Sequence, residues 1–354
     1  MYRNIKLHLI NIIIMILIFT GCNRETANSR VSSTPRFITP YIFISQWGSK
    51  GNENGQFNTL VDIAVTSKSE VYVIDHKIIS TLYNTNQVES YRIQKFDSNG
   101  KFIKKWGNKC KITGKMDIPE HIAIDSKDYV YVTNSGNGCI QKFDSNGKFI
   151  KKWGGFRQII KNIPFGIPYG VGIDFNGYIY VTNMFSSFKR SNGGAWIGKY
   201  DNNGNFITKW EEEFDIAFLG DITIDRSGYI YVVASCFSYY GFEEASIIYK
   251  LNKSGQIITN LYPDQGKQEV YESPLDITTD LQDNILIANV KINKIELFDP
   301  NGAFIITFGT EGDGDGQFKN PRGIAIDSKG NLYIADTGNY RIQKFKPNPE
   351  FKSK

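Results

Sequence analysis

Histidine is almost missing from this chain, with three in 354 residues. His8 falls in an N-terminal apolar segment, which leaves His76 and His121. A three-histidine zinc site is therefore excluded within one mature chain. Cysteine is nearly as scarce, at four, so a disulfide-dense scaffold is excluded. The formal net charge is only +5, Arg3 and Lys6 included, and the lysines are spread out rather than massed. That distribution speaks against a nucleic-acid partner. No stretch shows the 3.6-residue apolar period of an amphipathic helix. The one long apolar run, Leu9 to Phe19, is too short to span a bilayer.

That run sits inside "MYRNIKLHLINIIIMILIFTGC", which has a basic start, an apolar middle and small residues before a cysteine. The layout is that of a secretory signal over residues 1–21. Its end, "FTGC", resembles the lipobox of bacterial lipoproteins. The resemblance implies that Cys22 is lipidated and becomes the mature N-terminus, with membrane attachment through acyl chains in the cell envelope. Residues 22–40 are polar, carry two prolines and no apolar period, and read as a tether. An exported chain can form disulfides, and Cys110, Cys139 and Cys236 remain; their odd number leaves at least one thiol unpaired within the chain.

What the chain has in abundance is repetition. "IQKFDSNGKFIKKWG" occurs at 93–107 and again, letter for letter, at 140–154. Weaker relatives of the FDSNG turn are "YDNNG" (200–204), "LNKSG" (251–255), "FDPNG" (298–302) and "FKPNP" (345–349). Upstream of each turn runs a second shared pattern, as in "HIAIDSKDYVYVTN" (121–134) and "RGIAIDSKGNLYIADTGNYRIQKF" (322–345). Short β-branched and aromatic segments broken by Asp, Asn and Gly turns are strand–turn–strand chemistry. Six units of four strands, here a to d, account for residues 41–346. The sixth lacks its strand d, while "YIFISQWG" at 41–48 looks like a strand d without a unit. The expectation is an all-β, six-bladed β-propeller of four-stranded antiparallel blades. Its N-terminal strand completes the last blade, and residues 347–354 form a tail.

The pattern G-I-A-x-D-x-x-G-x-x-Y-x-A-D-x-x-N-x-R-I-x-x-F at 323–345 resembles the NHL repeat. Some relatives with this fold are zinc lyases with three channel histidines, which this chain does not have. Others are calcium-dependent lactonases using Glu, Asn and Asp around the channel, a set that the acids here could imitate. No nucleophile elbow or Ser-His-Asp spacing is present.

Repeat order places the start of strand a and the b–c loop at one end of the ring. The FDSNG turns lie at the other, uniform end. Insertions fall only in b–c loops, at 76–90, 184–196 and 235–246, so the loop-bearing face is the candidate for function. Around its mouth, strand a opens with Asp62, His121, Gly170, Asp221, Asp276 and Gly323. Strand b closes with Asp75, Asn134, Asn183, Ala234, Asn289 and Asp336. Two such rings could hold a hard cation (weak candidates Asp62, Asp221 and Asp276) or a polyhydroxylated or cationic ligand. Equally, Asp and Asn there could bond loop backbone. Phe185, Trp196, Tyr239 and Tyr240 in the insertions could stack on sugars or clasp a peptide, or pack among themselves. A Cys110–Cys139 disulfide is expected near this face. The functional expectation is a binding module for a peptide, protein or glycan with no required cofactor. The alternative is a metal-dependent hydrolase or lyase at the channel mouth.

Overall fold

The computed structural model describes residues 38–352, apart from 82–83, 108–115, 156–158, 161–162, 165, 185–194, 212–217, 237–244 and 262–275. Six four-stranded antiparallel sheets follow one another along the chain. In the first, strands a to d are Leu60–Val65, Val71–Thr81, Asn84–Phe96 and Phe102–Trp106. Strand a of the next five blades is Pro119–Ile124, Ile167–Ile173, Phe218–Ile224, Asp276–Thr279 and Pro321–Ile326. Each strand a touches the strand a of the blade before and after it, and the sixth returns to the first. The molecule is thus a six-bladed propeller with strand a lining the axis. In the sixth sheet, Tyr41–Trp47 is the outer strand, paired antiparallel with Arg341–Pro347. Among the described residues the only helices are two 3-10 turns, Ser135–Asn137 and Thr337–Asn339, and none is long and apolar enough to cross a membrane.

The core is divided rather than central. Six apolar clusters each lie between neighbouring blades, as Ile74, Ile93, Met116 and Val132 do between blades 1 and 2. Strand b is apolar on both faces because a blade lies on either side of it; Val130–Asn134 is buried throughout. Strand d is the edge; its isoleucines and lysines are exposed in a row, while the aromatics at its two ends pack inward.

The duplicated segment is inter-blade packing. The Trp closing strand d lies against the turn glycine of the next blade. A Cβ on Gly100 would lie 2.4 Å from Trp47, one on Gly147 2.5 Å from Trp106, and one on Gly204 2.6 Å from Trp153. These glycines also have φ near +80°, the region where a side chain is strained. The lysine of "IQKF" adds a second tie. Lys95 Nζ donates to Ser145 O in the next turn at 3.1 Å, and Lys344 Nζ to Ser98 O at 2.8 Å.

The first insertion, expected as a b–c loop, is largely strand. Residues 76–81 and 84–90 prolong strands b and c, pairing His76 with Tyr91 and Lys77 with Ser90. Its β-branched Ile78, Ile79, Thr81 and Val88 suit strands.

Candidate functional site

Strand a enters the channel through a β-bulge in blades 1, 2, 3, 4 and 6; in blade 2 the register breaks between Pro119 and Ile122. A bulge places two residues where the partner strand has one and re-aims a side chain. In blades 2, 3 and 6 the bulge follows a proline, which gives up no ladder hydrogen bond there.

The acids and histidine that open strand a converge as expected. Asp62, His121, Asp221 and Asp276 are 3–5% exposed. His121 Nδ1 stands 3.1 Å from Asp221 Oδ1 and 3.3 Å from Asp62 Oδ2. One N–H cannot aim well at both oxygens, and neither contact has good hydrogen-bond geometry, so the arrangement is an ion pair shared between two carboxylates. Burial alone would lower the imidazole pKa, but Asp221 and then Asp62 overcome it and hold it well above its usual value. Burial likewise works against ionised Asp221, yet the imidazolium keeps that carboxyl low. Asp276 is pushed well up by burial and by Asp62 and Asp221, to which it is hydrogen-bonded.

These carboxylates also fasten blades together. Asp62 accepts from Ile63 N at 2.6 Å in its own blade and from Ile122 N at 2.8 Å in the next. Asp276 does the same with Ile277 N at 2.8 Å and Ile324 N at 2.6 Å, and Asp221 reaches Ile277 N at 3.4 Å. Where strand a opens with His121 or Gly170, threonine takes over. Thr133 donates to Tyr169 O, and Thr182 to Gly220 O at 2.8 Å. Thr337 donates to Leu60 O at 2.9 Å. Every blade boundary carries one such clip, three from aspartate and three from threonine.

The residues closing strand b do not form a second ligand ring. All are fully buried, and their polar groups bond neighbouring backbone: Asp75, Asn134 and Asp336 hold the incoming loop, Asn289 the b–c turn and Asn183 its own strand. Asp75 accepts from Asn58 N and Thr59 N, both 2.9 Å, and from Arg92 Nε at 2.7 Å. Asp336 accepts from Lys319 N and from Arg341 Nε, both 2.7 Å. Asn134 accepts from Asp117 N at 2.8 Å, Asn289 from Lys291 N at 3.1 Å, and Asn183 donates to Val181 O at 3.0 Å. The physical reason is satisfaction: a buried carboxylate must be paired, and the loop amides and arginine are nearest.

Trp196 is also corrected. It opens strand c and is 1% exposed, packed inside blade 3, so it cannot stack on a ligand. Phe185, Tyr239, Tyr240 and Cys110 lie outside the described residues. Cys139 is a buried free thiol, its pKa pushed up to about 11 by burial.

One position earlier, at the bulges, stand Val61, Glu120, Tyr169, Gly220 and Arg322; Glu120, Tyr169 and Arg322 are partly exposed, whereas Val61 packs on the core between blades 1 and 2. The repeated "PEH", "PYG" and "PRG" mark three of them. Glu120 is raised by burial, against His121, Ser135 and Arg322. Tyr169 packs its ring 5.0 Å from His121 and 4.7 Å from Phe218. His76 lies near Pro119, with Nε2 3.0 Å from that carbonyl. Burial and Arg322 lower its pKa to about 4, so the ring is neutral.

The family profile of the NHL repeat matches residues 318–345. Among curated proteins, none matches the chain by sequence. Solved structures share the fold at low identity. Virginiamycin B lyase from Staphylococcus aureus is 16% identical over 87% of this chain and 89% of its own, with TM-score 0.51. A gluconolactonase from Xanthomonas campestris is 10% identical over 83% and 88%, with TM-score 0.57. A Bacteroides thetaiotaomicron protein of unknown function is 14% identical over 86% and 76%, with TM-score 0.59.

Proposed function

We propose that this NHL-repeat propeller is an exported, lipid-anchored binding module that takes a peptide, protein segment or glycan at its channel mouth. The observation that carries this reading is the division of labour between two layers of strand a. The lower layer, Asp62, His121, Asp221 and Asp276, is committed to itself and to backbone amides of the next blade. The layer above it sets an acid, a phenol and a guanidinium, all partly exposed, at the bulges of strand a: Glu120, Tyr169 and Arg322. Unlike groups around an opening suit recognition of a polar ligand. The signal-like leader and Cys22 support export and anchoring.

A metal-dependent hydrolase or lyase is the second reading, because donor atoms of Asp62, His121 and Asp276 all lie within 4.8 Å of one another. Two carboxylates and an imidazole fit a divalent cation in kind. A metal there must displace the imidazolium proton and compete with four backbone amides. Metal analysis of the purified protein separates the readings. The binding reading expects less than one-tenth of an equivalent of metal after dialysis, unchanged by Asp276→Asn. A tight stoichiometric metal lost in that variant would establish the second reading instead.

A further inference from the structure

Two arginines of the described blades are buried on strand c and saturated. Arg341 Nε donates to Asp336 at 2.7 Å, and its terminal nitrogens reach Asp313 O at 2.6 Å, Gly314 O at 2.8 Å and Gln317 O at 2.9 Å. Arg92 repeats the pattern, with Asp75 on Nε at 2.7 Å and Asn52 O and Gln56 O on its outer nitrogens. Both are structural: each guanidinium fastens a loop to a blade.

Arg322 is built differently. It is the bulge residue of strand a in blade 6, between Pro321 and Gly323. Its side chain is half-buried, and its Nε is fully buried with no hydrogen-bond partner. No ion pair or hydrogen bond ties it to any described residue. A guanidinium carries five donors and cannot shed its proton, so burying Nε–H without an acceptor is costly. Glu120, Tyr169 and His76 each feel Arg322, and none accepts from it. Glu120 Oε1 instead accepts from Ser135 Oγ at 3.1 Å. Gly323 beside it packs on Asp62 and Ile63, so the backbone that carries Arg322 is fixed.

From this geometry we infer that the channel mouth is a carboxylate-recognition site, with Arg322 as the fork that receives the ligand's carboxylate and Tyr169 as its neighbour. The inference rests on the binding reading and names the chemical class of the ligand. A guanidinium fork matches a carboxylate in two parallel hydrogen bonds, which a point charge cannot do. The carboxylate can belong to a peptide C-terminus or to a sugar acid, and the two sources separate experimentally.

A buried Arg Nε–H exchanges slowly enough to be followed by nitrogen–proton correlation spectroscopy. The purified protein is titrated with N-acetylglycylglycine, its C-terminal amide, glucuronate and glucose. The Arg322 Nε–H resonance, assigned by its loss in Arg322→Gln, is expected to shift with one or both carboxylates and with neither neutral partner. Response to the peptide acid alone, or to glucuronate alone, identifies the source. Arg322→Gln should weaken that binding about tenfold or more, while Arg322→Lys restores it only in part. The thermal midpoint of Arg322→Gln is expected to be unchanged or raised, whereas Arg341→Gln lowers it. The inference falls if neither carboxylate moves the resonance, if the amide or glucose moves it equally, or if Arg322→Gln destabilises as Arg341→Gln does. Should neutral ligands then bind at Glu120 and Tyr169, the binding reading survives without its carboxylate; no ligand at the mouth removes both.

Discussion

His121 sits between Asp62 and Asp221 with Asp276 beside them, and its raised pKa makes its charge part of what holds the axis together. The folded chain keeps the imidazole proton more tightly than the unfolded chain, whose pKa is about 6.5. The resulting stabilisation is complete below that value and is lost as pH rises through the folded one. Asp276 acts with the same sign, since its folded carboxyl is also raised. The thermal midpoint should therefore fall on the alkaline side of neutrality. His76, buried and neutral, gives the opposite slope between about pH 6.5 and 4. Replacing His121 by Asn leaves three clustered carboxyls without a cation. It should destabilise by about 3–5 kcal/mol at neutral pH and move the loss with rising pH to the acidic side. Calorimetry across pH 4–10 on both proteins checks this; a flat alkaline limb in the unsubstituted protein would show that the proton is not where the geometry puts it.

At the level of strands and turns, the repeated stretch "IQKFDSNGKFIKKWG" owes its sameness to a lock between blades. The Trp of one blade needs a glycine in the next turn, and both letters sit inside the repeat. Gly147 (φ +75°) and Gly177 (φ +81°) adopt nearly the same backbone, but a Cβ on Gly147 meets Trp106 at 2.5 Å while one on Gly177 meets nothing within 4 Å. Gly177→Ala should carry only the backbone strain, on the order of 1–3 kcal/mol. Gly147→Ala should be clearly worse, and equal denaturation midpoints would show that the ring contact contributes little. Blade count, strand order and the convergence of Asp62, His121, Asp221 and Asp276 were legible in the sequence because they follow a fixed repeat. The exchange of threonine for aspartate clips was not read from the sequence, because it depends on strand register. Blades 2 and 3 have Thr133 and Thr182 where blades 1, 4 and 5 have Ile74, Val233 and Ala288, and the first two lack the strand-a aspartate. Glu120, Tyr169 and Arg322 were missed because a bulge is a backbone event that shifts which residue meets the axis. Trp196 was misread because an insertion was counted one residue too far, into strand c.

The whole molecule separates support from recognition along its axis. One end carries uniform turns and the Trp–Gly locks; the middle carries the ion-paired ring and its clips; the other end carries unlike side chains and the inserted segments. Neutralising the ring and altering the mouth should therefore give different phenotypes, one in stability and the other in binding. Capture from peptide and glycan arrays by the purified protein measures this most directly, using Glu120→Gln/Tyr169→Ala at the mouth and Phe175→Ser at the opposite end. Phe175 is 90% exposed on an a–b turn, which makes it a fair control. The expected result is a ligand bound by the unsubstituted protein and by Phe175→Ser, and lost in the mouth variant with its thermal midpoint preserved. Binding that survives the mouth substitutions and disappears with Phe175→Ser would contradict the assignment and move the site to the other end of the propeller.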